Sequence, residues 1–160
     1  MATGKTNAVR LLESKGIPFQ LREYQVDPED LSAETVAVKV GLPPEQVFKT
    51  LAVEGDRSGI CLAVIPANSQ LDPKALAKLN GDRKAEMLPL KDVLAVTGYM
   101  RGAVTAIGCK KDFPVVIDET VQLHDVISVS AGMRGLQLVL SPENYIQITA
   151  AKLAEIARFS

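Results

Sequence analysis

Lys49 is the residue of this sequence whose setting most suggests chemistry. It stands in Val47-Phe48-Lys49-Thr50-Leu51, within an apolar run over 47–53 that follows Pro43 and Pro44 and stops at Gly55. The run is rich in strand formers, and alternation along a strand puts Lys49 on one face with Val47, Leu51 and Val53. An ammonium on an apolar face is costly unless it is paired or reaches water. Two placements meet that condition. In one, an edge strand lets the lysine stem snorkel to solvent. In the other, a pocket brings the amino group to an anion or a carbonyl. The spacing leaves both open.

Other reactive side chains are few. His124 is the sole histidine, so Ser-His-Asp or Cys-His catalysis would have to run through it. Beside Asp125 and ahead of a strand, it reads as a surface or turn residue. Cys61 alternates within an apolar strand and reads as core. Cys109 precedes Lys110 and Lys111, which would favour its thiolate, but a single cysteine there is no signature. No His/Cys/Asp spacing suits a metal, and Gly98, Gly102 and Gly108 form no dinucleotide or Walker fingerprint. No metal or cofactor is expected. Two glycine-bearing loops remain, Gly98-Tyr99-Met100-Arg101-Gly102-Ala103 and Ser130-Ala131-Gly132-Met133-Arg134-Gly135. Glycine lets a backbone approach a ligand closely and offer its N–H groups. Ordinary turns with solvated arginines have the same spacing.

Thr6 caps a helix over 7–15 that Gly16 stops. A strand follows at 19–24, then an acidic loop over 25–31. Ser32 caps a helix over 33–40, with Gly41 after it. The Lys49 strand turns at 55–59 into a second strand at 60–65. Asp72 caps a helix over 73–79 with Pro73 at its first position. A short strand is predicted at 84–87, and a helix over 89–96 that ends at Gly98. Three strands follow, at 114–117, 126–129 and 135–140. Ser141 caps a short helix from Pro142, and Thr149 caps a last helix over 150–158. Short turns between several strands favour an α+β domain over a doubly wound parallel sheet. The sheet is expected to be mixed or antiparallel, or barrel-like, and flanked by helices.

The chain of 160 residues suits one domain over 1–160, with a formal net charge of -1. That charge offers no global field for indiscriminate nucleic-acid binding. The start MATGKTNAVR has no apolar leader, and no apolar run is long enough to span a membrane. Two cysteines far apart form no disulfide framework, so a reducing cytoplasmic setting is expected.

Taken together, the motifs resemble the YbaK/EbsC family, free-standing relatives of the editing domain inserted in bacterial prolyl-tRNA synthetases. The resemblance covers nearly the whole chain. It runs through Ala8-Val9-Arg10-Leu11-Leu12, residues 19–24 and Gln46-Val47-Phe48-Lys49-Thr50-Leu51. It continues through Gly98-Tyr99, Gly102, Gly108, Lys110-Lys111, Ile117-Asp118 and Ser130, Gly132, Arg134, Gly135, Leu136. Ala103 and Ala106 depart from the family's glycine and proline, and Gln137 stands where some cysteine-specific members have aspartate.

The resemblance implies a deacylase that clears mischarged tRNA in trans, chiefly cysteine from proline tRNA. It implies Lys49 as the residue on which activity depends, holding a phosphate or polarising the ester carbonyl. Backbone N–H groups around Gly102 and Gly132 would hold carbonyl or adenosine. Tyr24, Phe48, Thr50, Gly98, Ser130 and Arg134 would complete the substrate site. The cysteinyl thiol would attack its own carbonyl and leave as a thiolactone, so the protein need only position it. The expected partners are the tRNA acceptor end and prolyl-tRNA synthetase, with no membrane and no DNA. Lys74, Lys78, Arg83, Lys84, Arg101, Lys110, Lys111 and Arg134 are either a basic rim for the acceptor end or scattered solvated charges. Three alternatives stay open: a tRNA- or synthetase-binding module without catalysis, a deacylase for another amino acid such as alanine, and a Schiff-base lysine enzyme.

Overall fold

A long hairpin positions Lys49. In the computed structural model, which describes residues 5–159, the first strands are β1 (Gln20–Glu23), β2 (Phe48–Gly55) and β3 (Gly59–Pro66). Residues 1–4, part of the start read above as leaderless, and Ser160 lie outside the described residues. β2 and β3 pair antiparallel along their full length, with Lys49 opposite Ile65 and Gly55 opposite Gly59. Asp82 latches the turn, its carboxylate accepting from the amides of Arg57 and Ser58. A Cβ on Gly55 would overlap that carboxylate, which explains the glycine. Every residue of β3 from Cys61 on is buried, as its unbroken apolar run suggests. Leu62, Val64 and Ile65 are wholly enclosed, each contributing about 1.5–3 kcal/mol by leaving water.

The remaining strands are β4 (Gln70–Leu71), β5 (Ala85–Met87), β6 (Val115–Asp118), β7 (Ile127–Ser130), β8 (Leu136–Leu140), β9 (Lys152–Ala154) and β10 (Ala157–Arg158). They form a five-stranded sheet of order β5-β2-β3-β6-β9, a three-stranded sheet β1-β8-β7 and a two-stranded ribbon β10-β4. The five-stranded sheet is mixed, since β3-β6 and β6-β9 are parallel. An isolated parallel bridge between Val47 and Ser128 joins the two larger sheets. The helices are α1 (Asn7–Ser14), α2 (Ala33–Val40), α3 (Pro73–Asn80), α4 (Val93–Thr97) and α5 (Pro142–Thr149). This is the expected α+β architecture with a mixed sheet. Among the described residues no helix is long and apolar enough to cross a membrane.

Three apolar clusters fill the layers. The largest lies between the sheets, where Phe48, Leu62 and Val64 meet Ile127, Leu138, α1 and Tyr145 of α5. The second puts Val53, Cys61 and Ile65 under Leu76 and Ala77 of α3. The third packs Val36, Ala37 and Val40 of α2 on Val47 and Ala67. Caps follow the sequence reading: Thr6, Ser32, Asp72 and Ser141 each accept an amide of the first helical turn.

Two expectations are corrected. Val47 precedes β2 and belongs to the α2 cluster, so it is not part of the Lys49 strand. The helix expected over 150–158 does not form. Ala150 takes a left-handed conformation (φ 55°) that ends α5 and redirects the chain. Residues 152–154 then pair in parallel with β6. Buried Asp118 accepts the amides of Ile156 and Ala157 at 3.0 and 2.9 Å. An Ala-, Leu- and Glu-rich segment has helix propensity, but that preference is only a few tenths of a kcal/mol per residue, and two hydrogen bonds to a buried carboxylate, about 1.5–3 kcal/mol each, together with sheet pairing outweigh it.

Candidate functional site

Lys49 opens into a cavity of about 250 Å³. β2 supplies Phe48, Lys49, Thr50 and Leu51; the start of α2 supplies Ser32, Ala33, Glu34 and Val36; the two glycine loops supply Arg101, Gly102 and Ser130; Gln137 comes from β8. Sheet pairing explains the hollow. Among the described residues, β5 pairs with β2 only at Val53–Gly55, and the backbone bridge to the other sheet is made by Val47, just ahead of β2. Between them the outer edge of β2 has no neighbouring strand. The carbonyl of Ala52 points to that edge, where it accepts the Leu88 amide at 3.0 Å. By strand alternation the peptide groups of Thr50 point the same way, into the gap. A backbone donor thus stands beside the lysine.

The ammonium of Lys49 is half-buried and donates to the Ala67 carbonyl at 3.3 Å. Burial lowers its pKa, and the charge of Glu34 partly offsets that shift. The opposite wall is built by hydrogen bonds. Ser130 donates its hydroxyl to the Ala103 carbonyl at 2.9 Å and accepts the Gly132 amide at 3.1 Å. The Arg134 Nε donates to the Arg101 carbonyl at 2.8 Å. These bonds tie one glycine loop to the other. Ser128 donates to Gln137 Oε1 at 2.8 Å, and both side chains are buried. That bond engages the amide oxygen, so the side chain's remaining donors are its NH₂ hydrogens. Phe48 forms the floor, with His124 edge-on to its ring at a centroid distance of 6.3 Å.

The expected site residues divide. Lys49, Phe48, Thr50, Gly102 and Ser130 meet at this cavity. Gly98, Gly132 and Arg134 line a second cleft of about 470 Å³ behind the same loops. The Gly132 amide is already bonded to Ser130 and is not free to hold a carbonyl. Tyr24 lines a separate surface hollow with residues 25–28 and Lys39, and packs on the α2 cluster behind the cavity wall. The basic residues divide as well: Arg101 is at the cavity, Lys110 and Arg134 at the second cleft. Lys84 is paired with Glu86 at 2.8 Å. Cys61 is core, its thiol pKa raised by burial.

The profile described as "Aminoacyl-tRNA editing domain" matches residues 27–148. The chain is 45% identical to the Enterococcus faecalis protein named "Putative Cys-tRNA(Pro)/Cys-tRNA(Cys) deacylase EbsC", over 95% of this chain and 93% of that one. The chain belongs to the aminoacyl-tRNA editing family. A Burkholderia mallei proline–tRNA ligase is 28% identical over 71% of this chain, which spans 20% of that enzyme. A solved structure described as "a putative trans-editing enzyme for prolyl tRNA synthetase" shares the fold, with a TM-score of 0.82 at 21% identity, covering 98% of this chain and 99% of that one.

For an aminoacyl-tRNA editing domain the cavity has a definite chemical character. It holds a lysine, an arginine and an open strand edge as donors, with one carboxylate, Glu34. Among its lining residues there is no histidine or cysteine. Glu34 was not singled out as a site residue by sequence reasoning, and Arg101 was named there only as one of several candidate rim cations. Glu34 sits in the first turn of α2, where an acidic residue is ordinary helix chemistry. Its place beside the start of a capped helix gave no hint that the helix end faces Lys49.

Proposed function

We propose that this editing domain deacylates mischarged tRNA in trans, removing cysteine from tRNA(Pro). The observation that carries the proposal is the half-buried Lys49 ammonium beside an unpaired strand edge, in a cavity without a side-chain nucleophile of the histidine-activated kind. The volume suits an aminoacyl ester better than a whole nucleotide, since sites for larger ligands run to about 300–1,000 Å³. The likeness to a protein named a Cys-tRNA deacylase supports the substrate.

In this reading Lys49 and the Thr50 amide donate to the ester carbonyl oxygen as charge builds on it. The substrate's own thiol attacks the carbonyl carbon. A C–S bond forms, the C–O bond to the ribose breaks, and the thiol proton ends on the ribose oxygen. The products are a cyclic thiolactone and the free tRNA terminus. A well-placed intramolecular attack is worth about 7–11 kcal/mol, which removes the need for a protein nucleophile. Glu34 faces the cavity with the charge needed for the substrate's α-ammonium. A pocket separates side chains one methylene apart by only about 1–3 kcal/mol, so chemistry that needs sulfur excludes alanine and proline more sharply. Prolyl-tRNA synthetase is the proposed source of the substrate.

The test is a panel of tRNAs carrying cysteine, alanine, serine and proline. Loss of cysteine alone is expected, with thiolactone as the product. Efficient release of alanine, which has no internal nucleophile, would overturn the mechanism. Binding of every tRNA without turnover would assign the fold to a binding module instead.

A further inference from the structure

The second cleft is not used by the reaction just described. It lies between the start of α1 and the outer sides of both glycine loops, and its volume is about 470 Å³. Four cations reach it from separate segments: Lys5, Arg10, Lys110 and Arg134. No aspartate or glutamate lines it. In a chain of net charge -1, that concentration of like charge needs a reason, because unpaired cations gathered in one hollow repel each other. Lys5 has one partner, Glu13 at 2.9 Å, outside the cleft. Among the described residues Arg10 donates from its side chain to the neutral amide oxygen of Asn7, at 3.4 Å, and to no carboxylate. Lys110 lies over the face of Tyr99, 5.9 Å from the ring centre.

We propose that this cleft is an RNA-backbone site, holding phosphates of the acceptor strand whose aminoacyl end reaches Lys49. The inference rests on the deacylase reading for the identity of the RNA. Continuity favours RNA over an acidic polypeptide. The two hollows share one wall, with Arg101 and Gly102 facing the Lys49 cavity and Met100 and Ala103 facing the cleft. A chain that leaves the cavity past exposed Arg101 and Gly102 comes to Arg134, which flanks Gly102 and lines the cleft. Arg134 belongs to both sides, since its Nε braces the Arg101 carbonyl while its side chain lines the cleft. Exposed Met100 adds apolar surface beside the charges.

The experiment uses the double variant Arg10→Gln, Lys110→Gln, which leaves Lys49 and its wall intact. Binding of deacylated tRNA is measured across a series of salt concentrations. The expected result is affinity about tenfold weaker at low salt and a salt slope smaller by about 1.5, the loss of two phosphate contacts. Cleavage of cysteinyl-adenosine, too short to reach the cleft, should be unchanged. Unchanged tRNA affinity and slope would overturn the proposal, and so would equal loss on cysteinyl-adenosine. Tight binding of polyglutamate that the variant loses while tRNA binding is kept would reassign the cleft to an acidic protein. Because the binding arm uses deacylated tRNA, it reads the same whether or not the chain turns over cysteinyl-tRNA.

Discussion

Burial lowers the pKa of Lys49, and Glu34 across the cavity partly restores its charge. If the ammonium is the form that meets the carbonyl, activity is full at low pH and falls as pH rises through the lowered pKa. Replacing Glu34 by glutamine removes the restoring charge, so the alkaline limb of the pH–rate profile should move to lower pH; a limb that stays in place would exclude the pair. Lys49→Ala should reduce cysteine release by about 100-fold or more, the scale of losing one donor to a developing oxyanion, with tRNA affinity largely kept. Single-turnover rates and filter binding separate the two effects. The apolar run marked Lys49 in the sequence as a local anomaly but left an edge strand open, and the motif Gln46 to Leu51 around it was what pointed to a site. Gln137 and Arg101 were noted there for other reasons, but their place beside Lys49 was not legible, because it exists only after β8 and the first glycine loop are brought to the edge of β2.

At the scale of elements, Asp118 shows why a family motif need not be chemistry. Its carboxylate is buried and accepts from the Thr120 amide and hydroxyl and from the amides of Ile156 and Ala157. Asp118→Ala should lower stability by about 2–4 kcal/mol in urea unfolding, since buried donors lose their acceptor. Ser130 performs the corresponding task at the cavity wall. Ser130→Ala frees the Ala103 carbonyl and the Gly132 amide, and should slow cysteine release about tenfold with a stability loss near 1 kcal/mol. Rates on cysteinyl-tRNA and thermal melts measure the two losses. Helix caps, the hairpin and the buried β3 run were readable because each has a local cause. The C-terminal segment was not, because the acceptor that holds it lies far away in sequence, and its own residues favour helix until Ala150 turns the chain.

Across the whole molecule, one backbone bridge among the described residues, at Val47, joins the two larger sheets, and Lys49 stands next to that seam. The α+β architecture followed from the turns between strands. The seam did not, because one bridge leaves no periodic trace in the sequence. The near-zero net charge is also misleading as an average. Four of the 18 lysines and arginines line the cleft and no carboxylate among the described residues does, so the charge there is locally positive. If the cleft is the RNA site, a polyanion approaching it is drawn in and turned before contact. Encounter would therefore select the heading as well as the partner. The association rate constant for tRNA should drop steeply with added salt while dissociation changes less, a contrast that stopped-flow mixing can resolve. Collisions would then be sorted by direction, sparing the enzyme a slow search across its own surface.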